Sequence, residues 1–188
     1  MKYNKHFILL FIFLAIITIG CSQKEEIRIG WIGPLSGYGA FIGNANMEGI
    51  NLAVEEINGG GGIDGKKIKV FFEDDVSIPR NAVNAFYKLI DEDKVDVVIV
   101  VPPASFSSVA PIAEERGVVV INNMDSNEEF ASYGEYSFAI GIFDEGVGYS
   151  IADFVYHKLK EDQVAIFYNN QQPFYLIVKN AFEEKFPG

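Results

Sequence analysis

Apolar and polar positions alternate with the period of a strand at the start of residues 27–58, where Ile27, Ile29 and Trp31 interleave with Arg28, Gly30 and Ile32. At the end of the same stretch Ile50, Ala53, Val54 and Ile57 recur at i, i+3, i+4 and i+7, the stripe of a buried helix face. Between them lies a glycine-rich bend, Gly33-Pro34-Leu35-Ser36-Gly37-Tyr38-Gly39. Glycines let backbone N–H groups approach a ligand closely there, and the helix N-terminus that follows favours anionic groups.

The same alternation of periods continues along the chain. Gly59 to Gly62 and the Asp64-Gly65 pair end the first helix and reverse the chain. Ile68, Val70 and Phe72 mark a second strand, and Pro79 opens a helix carrying Ala82, Ala85, Phe86, Leu89 and Ile90. Residues 95–101 are almost unbroken Val and Ile, which predicts a strand covered on both faces and hence a parallel sheet. A loop over 102–108, a short helix marked by Val109, Ile112 and Ala113, a C-cap at Gly117 and a strand over 118–121 follow. Residues 136–140 read as a further short strand. Asp144 starts a helix with Val147, Ile151, Phe154, Val155 and Leu159, residues 164–168 read as a strand, and 174–186 form a last amphipathic segment.

Strand and helix in alternation predict an α/β fold with a doubly wound parallel sheet, whose ligands bind in loops at the carboxyl ends of the strands. A chain that finishes on an amphipathic helix with no following strand leaves its last unit without a partner, which reads as a truncated product.

Composition changes the picture at the front end. Lys2, Lys5 and His6 precede an apolar run over 7–19, with Gly20-Cys21 behind it, the layout of an export signal. That run is shorter than the ~20 apolar residues of a membrane span. Cys21 is the single cysteine, so an internal disulfide is excluded, and its place behind the run resembles a bacterial lipobox with Thr18 where leucine is usual. The resemblance implies cleavage before Cys21, lipid on its thiol, a tether over 21–25 and a location in the cell envelope on the extracytoplasmic side. Loss of residues 1–20 removes two lysines and no acid, taking the net charge from −11 to −13. No clustered Lys/Arg patch accompanies that acidity, so nucleic acid is not an expected partner.

Several chemistries lack parts. Gly37, Gly39 and Gly43 approximate a dinucleotide fingerprint, but the third glycine comes one residue late, Pro34 stiffens the entry, and the acid expected about 20 residues on is displaced to Asp74 and Asp75. A nucleotide-dependent α/β enzyme is therefore an alternative of a different class rather than the main reading. His157, the only histidine outside the leader, sits beside Lys158 on a helix away from the strand ends, which leaves no triad and no His-based metal site. Neither a catalytic residue, a metal nor a cofactor is expected. Glu73, Asp74 and Asp75 form one carboxylate cluster, read as capping backbone groups more than holding a cation.

The loops suit binding better. Ser105, Ser107 and Ser108 lie between a buried strand and a helix, where hydroxyls and free N–H groups fit a carboxylate or cap the helix. Asn122 to Asn127 end the next strand, offering Asp125 and Ser126 as contacts or forming an ordinary polar turn, and Phe174 and Tyr175 add aromatic surface behind Asn169 to Gln172. In a doubly wound sheet such loops gather on one edge.

With these residues in place, the mature segment resembles the front part of a periplasmic binding protein, type I, of the branched-chain amino acid (Leu/Ile/Val) kind that serves ABC importers. IRIGWIGPLSGYGAFIG, INGGGGIDGKKI, VAPIAEERGVVVINN and YSFAIGIFDEGVGYSIADFVY carry the likeness in order and spacing. It implies two hinged lobes, with lobe one over 26–141, the first crossing near 138–143, and 142–188 as the incomplete start of lobe two. The family's carboxylate-binding position after the fourth strand falls on Ser126. The one after the third strand falls on Pro103, or on Ser105 with a shifted loop. Aromatic walls would come from Tyr38, Phe41 or Ile42 and from Phe174 or Tyr175. The family's arginine near the hinge is Ala139 here, and its acid for the ligand amino group lies beyond Gly188. The function implied is capture of a small amino acid or amide for an ABC permease. A sensor domain of the same fold is the alternative.

Overall fold

The computed structural model describes residues 26–126, 129–170 and 173–188. The leader, Cys21 and the tether lie outside the described residues. Among the described residues no helix is long and apolar enough to cross a membrane.

The elements in chain order are β1 (Ile27–Gly33), α1 (Ala40–Gly59), β2 (Ile68–Asp74), α2 (Pro79–Asp91), β3 (Val97–Val100), α3 (Pro103–Arg116), β4 (Val119–Asn122) and β5 (Asp125–Ser126). A 3-10 turn (Phe130–Tyr133), β6 (Ser137–Ala139), β7 (Ile142–Phe143), α4 (Asp144–Asp153) and α5 (Pro173–Lys185) complete them. The sheet runs β2-β1-β3-β4-β6 with every neighbouring pair parallel, and β5 pairs with β7 in a separate two-stranded ribbon. Because the strands are parallel, the loops after β1, β2, β3 and β4 emerge at one edge.

One face of the sheet carries the main core. Ile32, Val98, Val100 and Val120 point to it, and α2 supplies Ala82, Ala85, Phe86, Leu89 and Ile90 as its periodicity predicts. From α3 come Phe106, Val109, Ala110 and Ala113, with Phe130 against Phe106 at 4.8 Å between ring centroids. Each fully buried large side chain contributes roughly 1.5–3 kcal/mol of transfer free energy. On the other face Trp31 is fully buried beside Phe72, ring centroids 5.6 Å apart, while Val97, Ile99, Val119 and Ile121 are only half-buried.

Three expectations are corrected here. The α1 stripe is not a buried face: Ile50 and Val54 are half-buried, and Ala53 and Ile57 are exposed. Its main strand contact is β2, at the sheet edge, so most of the helix has no apolar surface beneath it. The helix after β3 is longer than expected, because Pro103 fits the first helical position, where its missing N–H costs nothing, and Pro111 is tolerated inside. Residues 164–168 form no strand, since none of the described strands lies alongside to offer a ladder; Phe167 is 96% exposed. The helix opened by Asp144 continues past α4 as a π-helical stretch, Phe154–Leu159.

Candidate functional site

The edge where the strand-end loops meet is held by side chains acting on distant backbone. Asp74, last residue of β2, accepts from Leu35 N at 2.9 Å, Ser36 Oγ at 2.5 Å and Val76 N at 2.9 Å, tying the opening bend to the β2 loop. Partial burial pushes its carboxyl up, but these donors outweigh that and hold it below the usual carboxylate value. Asp75 is fully buried, accepts from Ser77 N at 2.8 Å and from Ser105 Oγ at 2.6 Å, and burial pushes its carboxyl up. Glu73 pairs with Lys88 at 2.5 Å. All three acids thus cap or pair.

Asn122 joins the next two loops. Its Nδ2 donates to Val100 O and Val101 O, both at 3.0 Å, and its Oδ1 accepts from Met124 N at 2.9 Å and Asp125 N at 2.8 Å. The amide is fully buried and uses all four of its hydrogen-bonding positions. Asn123 Nδ2 donates to Asn46 Oδ1 at 2.7 Å, and Asn46 Nδ2 to Ile42 O at 3.2 Å, which brings the first turns of α1 against the β4 loop.

Two glycines permit close approach. A Cβ on Gly43 would lie 1.7 Å from Pro34 O, so the late third glycine of the bend serves helix-to-loop contact. A Cβ on Gly141 would lie 2.3 Å from Met124 C and O and 2.4 Å from Asp125 N, where the chain crosses behind β5.

The expected ligand residues divide. Tyr38 is fully exposed at 101% and Phe41 is 70% exposed, both on the bend side of the edge. Ser126 is half-buried in β5, in register with Phe143. Ser105 is fully buried with its hydroxyl committed to Asp75. No side chain caps the N-terminus of α3. Ser107 and Ser108 bond back to Pro103 O and Ala104 O, so the loop's hydroxyls do not cap it and its first N–H groups are left for another acceptor. Phe174 and Tyr175 contact each other, ring centroids 5.3 Å apart. Tyr175 lines an apolar cavity of about 370 Å³ with Ile151, Val155, Phe167 and Phe182, all from the last 38 residues, so that cavity is separate from the strand-end edge. His157 is surface-exposed near Asp153. Among the described residues no group of three His, Cys, Asp or Glu side chains is placed to hold a metal.

Sequence reasoning missed Asn46, Asn122 and Asn123 as the joints of the edge. Asn122 carries a signal, a polar residue closing an apolar strand run, but its partners lie 21 and 22 residues back.

Residues 26–184 match the family described as periplasmic binding protein. The chain belongs to that family. An amino acid binding protein of Pseudomonas aeruginosa is 30% identical over 163 residues, covering 82% of this chain and 42% of that protein. The Leu/Ile/Val-binding protein of Escherichia coli is 27% identical over 161 residues, covering 85% and 44%. Among solved structures, the branched-chain amino acid transporter substrate binding protein LivJ of Streptococcus pneumoniae, in complex with isoleucine, superposes with a TM-score of 0.77. It is 30% identical, covering 87% of this chain and 47% of that one. The leucine binding protein LivK of Thermotoga maritima gives 0.72 at 28% identity, covering 85% and 45%. The chain has the type I periplasmic binding protein fold, and it spans under half the length of these relatives.

Proposed function

We propose that this chain supplies the first wall of a solute-binding cleft that captures a small amino acid or amide outside the cytoplasmic membrane for an ABC permease. The observation that carries the reading is the single edge at which Asp74, Asp75, Asn122 and Asn123 tie together the loops after β1, β2, β3 and β4. An edge so braced is preorganised, which lowers the ordering cost of binding. The uncapped N-terminus of α3, with the N–H groups of Ala104 and Ser105, and the Ser126 hydroxyl are the donors for a ligand carboxylate. Ser105 acts through its backbone in this scheme, because its hydroxyl belongs to Asp75. Tyr38 and Phe41 offer apolar surface for the ligand or for an opposing lobe.

Lobe one over 26–141 holds this edge, and 142–188 begin the opposing lobe, with Phe174 and Tyr175 on its side. Hydrogen bonds to a charged ligand are worth about 1.5–3 kcal/mol each. Three or four of them reach the ~8 kcal/mol of a micromolar site once a second lobe excludes water. With one wall, binding is weak. The family's relatives are named as binding proteins, and binding rather than catalysis is the activity assigned here. Lipid at Cys21 tethers the mature chain to the membrane.

Titration of the full chain with a panel of amino acids and amides, followed by backbone NMR, tests the cleft. Movement of Ala104, Ser126 and Tyr38 amides with millimolar ligand is expected. A saturable response to dinucleotides instead, or no response of these amides to any panel member, overturns the reading. Micromolar affinity in calorimetry overturns the one-wall argument. Cys21→Ser should abolish lipid labelling, and continued detergent-phase partitioning of that variant refutes the anchor.

A further inference from the structure

Asp75 follows β2 and lies fully buried against the first turn of α3, where its Oδ2 accepts from Ser105 Oγ at 2.6 Å. The N–H of Ser105 belongs to that first turn, one residue ahead of Phe106 N, which donates to Pro102 O. Ala104, beside it, is exposed, so this helix end is open to a solute. A buried carboxylate and a solute carboxylate therefore draw on the same helix end, whose dipole amounts to roughly half a positive charge. That suits one anion and not two.

Burial pushes the Asp75 carboxyl up, the donors Ser105 Oγ and Ser77 N pull the other way, and the neighbouring Asp74 adds to the rise. No base stands opposite on the elements packed here. Arg80, in the first turn of α2, is exposed, while Lys88 and Asp91 of α2 and Glu114, Glu115 and Arg116 of α3 lie toward the far ends of their helices. β3 and the opening bend carry no charged side chain, and the bend's Tyr38 is fully exposed. Either form of the acid keeps the Ser105 contact, since the carboxylate accepts from Oγ and the carboxylic acid donates to it. The proton count at Asp75 can change without breaking the joint between the β2 loop and α3.

We propose that Asp75 is a specificity-determining residue of this site: ionised, it competes with a solute carboxylate for the N-terminus of α3 and favours solutes that end in an uncharged amide, and capture of a carboxylate draws a proton from solvent onto Asp75. This rests on the solute-binding reading. An amide oxygen accepts from the same N–H groups without bringing a second negative charge, so its capture leaves Asp75 as it was. By linkage, whatever raises the affinity for the proton at Asp75 is matched by a gain in carboxylate affinity as pH falls.

The full chain, labelled with ¹³C and ¹⁵N, is titrated with L-isoleucine and with L-isoleucinamide between about pH 4.5 and 6.5, where the carboxylate of the first and the ammonium groups of both stay charged. The Asp75 Cγ resonance should titrate at a higher pH with isoleucine bound than without it, and isoleucinamide should leave that titration in place. Affinity for isoleucine, read at the Ala104 and Ser126 amides, should rise about fivefold from the upper pH to the lower, while that for isoleucinamide stays level. Asp75→Asn should bind isoleucine alike at both pH values and at least as tightly as the wild type does at the lower one. A pH dependence that survives in Asp75→Asn belongs to another acid, such as Asp125 beside Ser126, and overturns the assignment. Isoleucine that moves Ala104 and Ser126 but leaves the Asp75 titration in place overturns the competition while the proposed function stands, and so does an equal effect of isoleucinamide. No response of Ala104 or Ser126 to either probe overturns both. The wild-type titrations decide the matter even if the variant fails to fold.

Discussion

Replacing Asn122 by Ala removes a side chain that spans the β3 and β4 loops. It makes four hydrogen bonds, two donated to Val100 O and Val101 O and two accepted from Met124 N and Asp125 N. At a net ~1 kcal/mol each the loss is about 4 kcal/mol, and buried N–H groups left without partners cost roughly 1–3 kcal/mol apiece, so the figure is not inflated. Against a domain stability of about 5–15 kcal/mol that is a large share. Urea unfolding followed by far-UV circular dichroism should show a much lower midpoint with an unchanged slope, since the buried surface is the same. Asn122→Asp separates the two halves of the network. The carboxylate keeps the two acceptor roles and sets a negative oxygen against two carbonyls. Its folded pKa is then raised above the unfolded value. The penalty is therefore fully present above that folded pKa and shrinks as pH falls toward the unfolded value near ~3.9. An Asn122→Ala variant within 1 kcal/mol of wild type, given the ~4 kcal/mol expected, refutes the reasoning.

Other substitutions give further checks. Gly43→Ala places a methyl 1.7 Å from Pro34 O and should cost roughly 1–3 kcal/mol or more in thermal melts, whereas Gly49→Ala, with open space around it, should gain up to ~1 kcal/mol. Ser105→Ala leaves a fully buried carboxylate oxygen of Asp75 without its donor and should destabilise by about 1–3 kcal/mol. The two neighbouring acids should shape the urea midpoint against pH in opposite senses. Asp75, raised above 3.8, contributes stability that is lost as pH rises through its folded value, and Asp75→Asn should flatten that limb. Asp74, held below 3.8, contributes stability that is lost as pH falls through its folded value, and Asp74→Asn should remove that acid limb.

Elements whose burial is settled within the chain were legible. The stripe on α2 turned inward residue for residue, and the Val/Ile run became the interior strand β3. Where a partner strand or helix is needed and does not lie alongside, periodicity misled. The α1 stripe meets only the edge strand, and residues 164–168 have strand composition without a ladder, because pairing is a property of two segments and not of one. Residues 102–108 read as a loop before a short helix, although Pro103 fits the start of α3. Of the candidate site, the edge followed from topology, while its joints did not. Asp75 and Ser105 are 30 residues apart and Asn46 and Asn123 are 77 apart, and nothing local marks such pairs.

The segment over 164–168 also bears on how the chain behaves in concentrated solution. Val164, Ala165, Ile166, Phe167 and Tyr168 form an uncharged run of high strand propensity without proline, and among the described residues its backbone enters no ladder. Unpaired, exposed strand-like runs of this kind template association with other chains. Storage at high concentration therefore favours amyloid-like assembly seeded at this run, and a lysine in place of Phe167 is the gatekeeper that should suppress it.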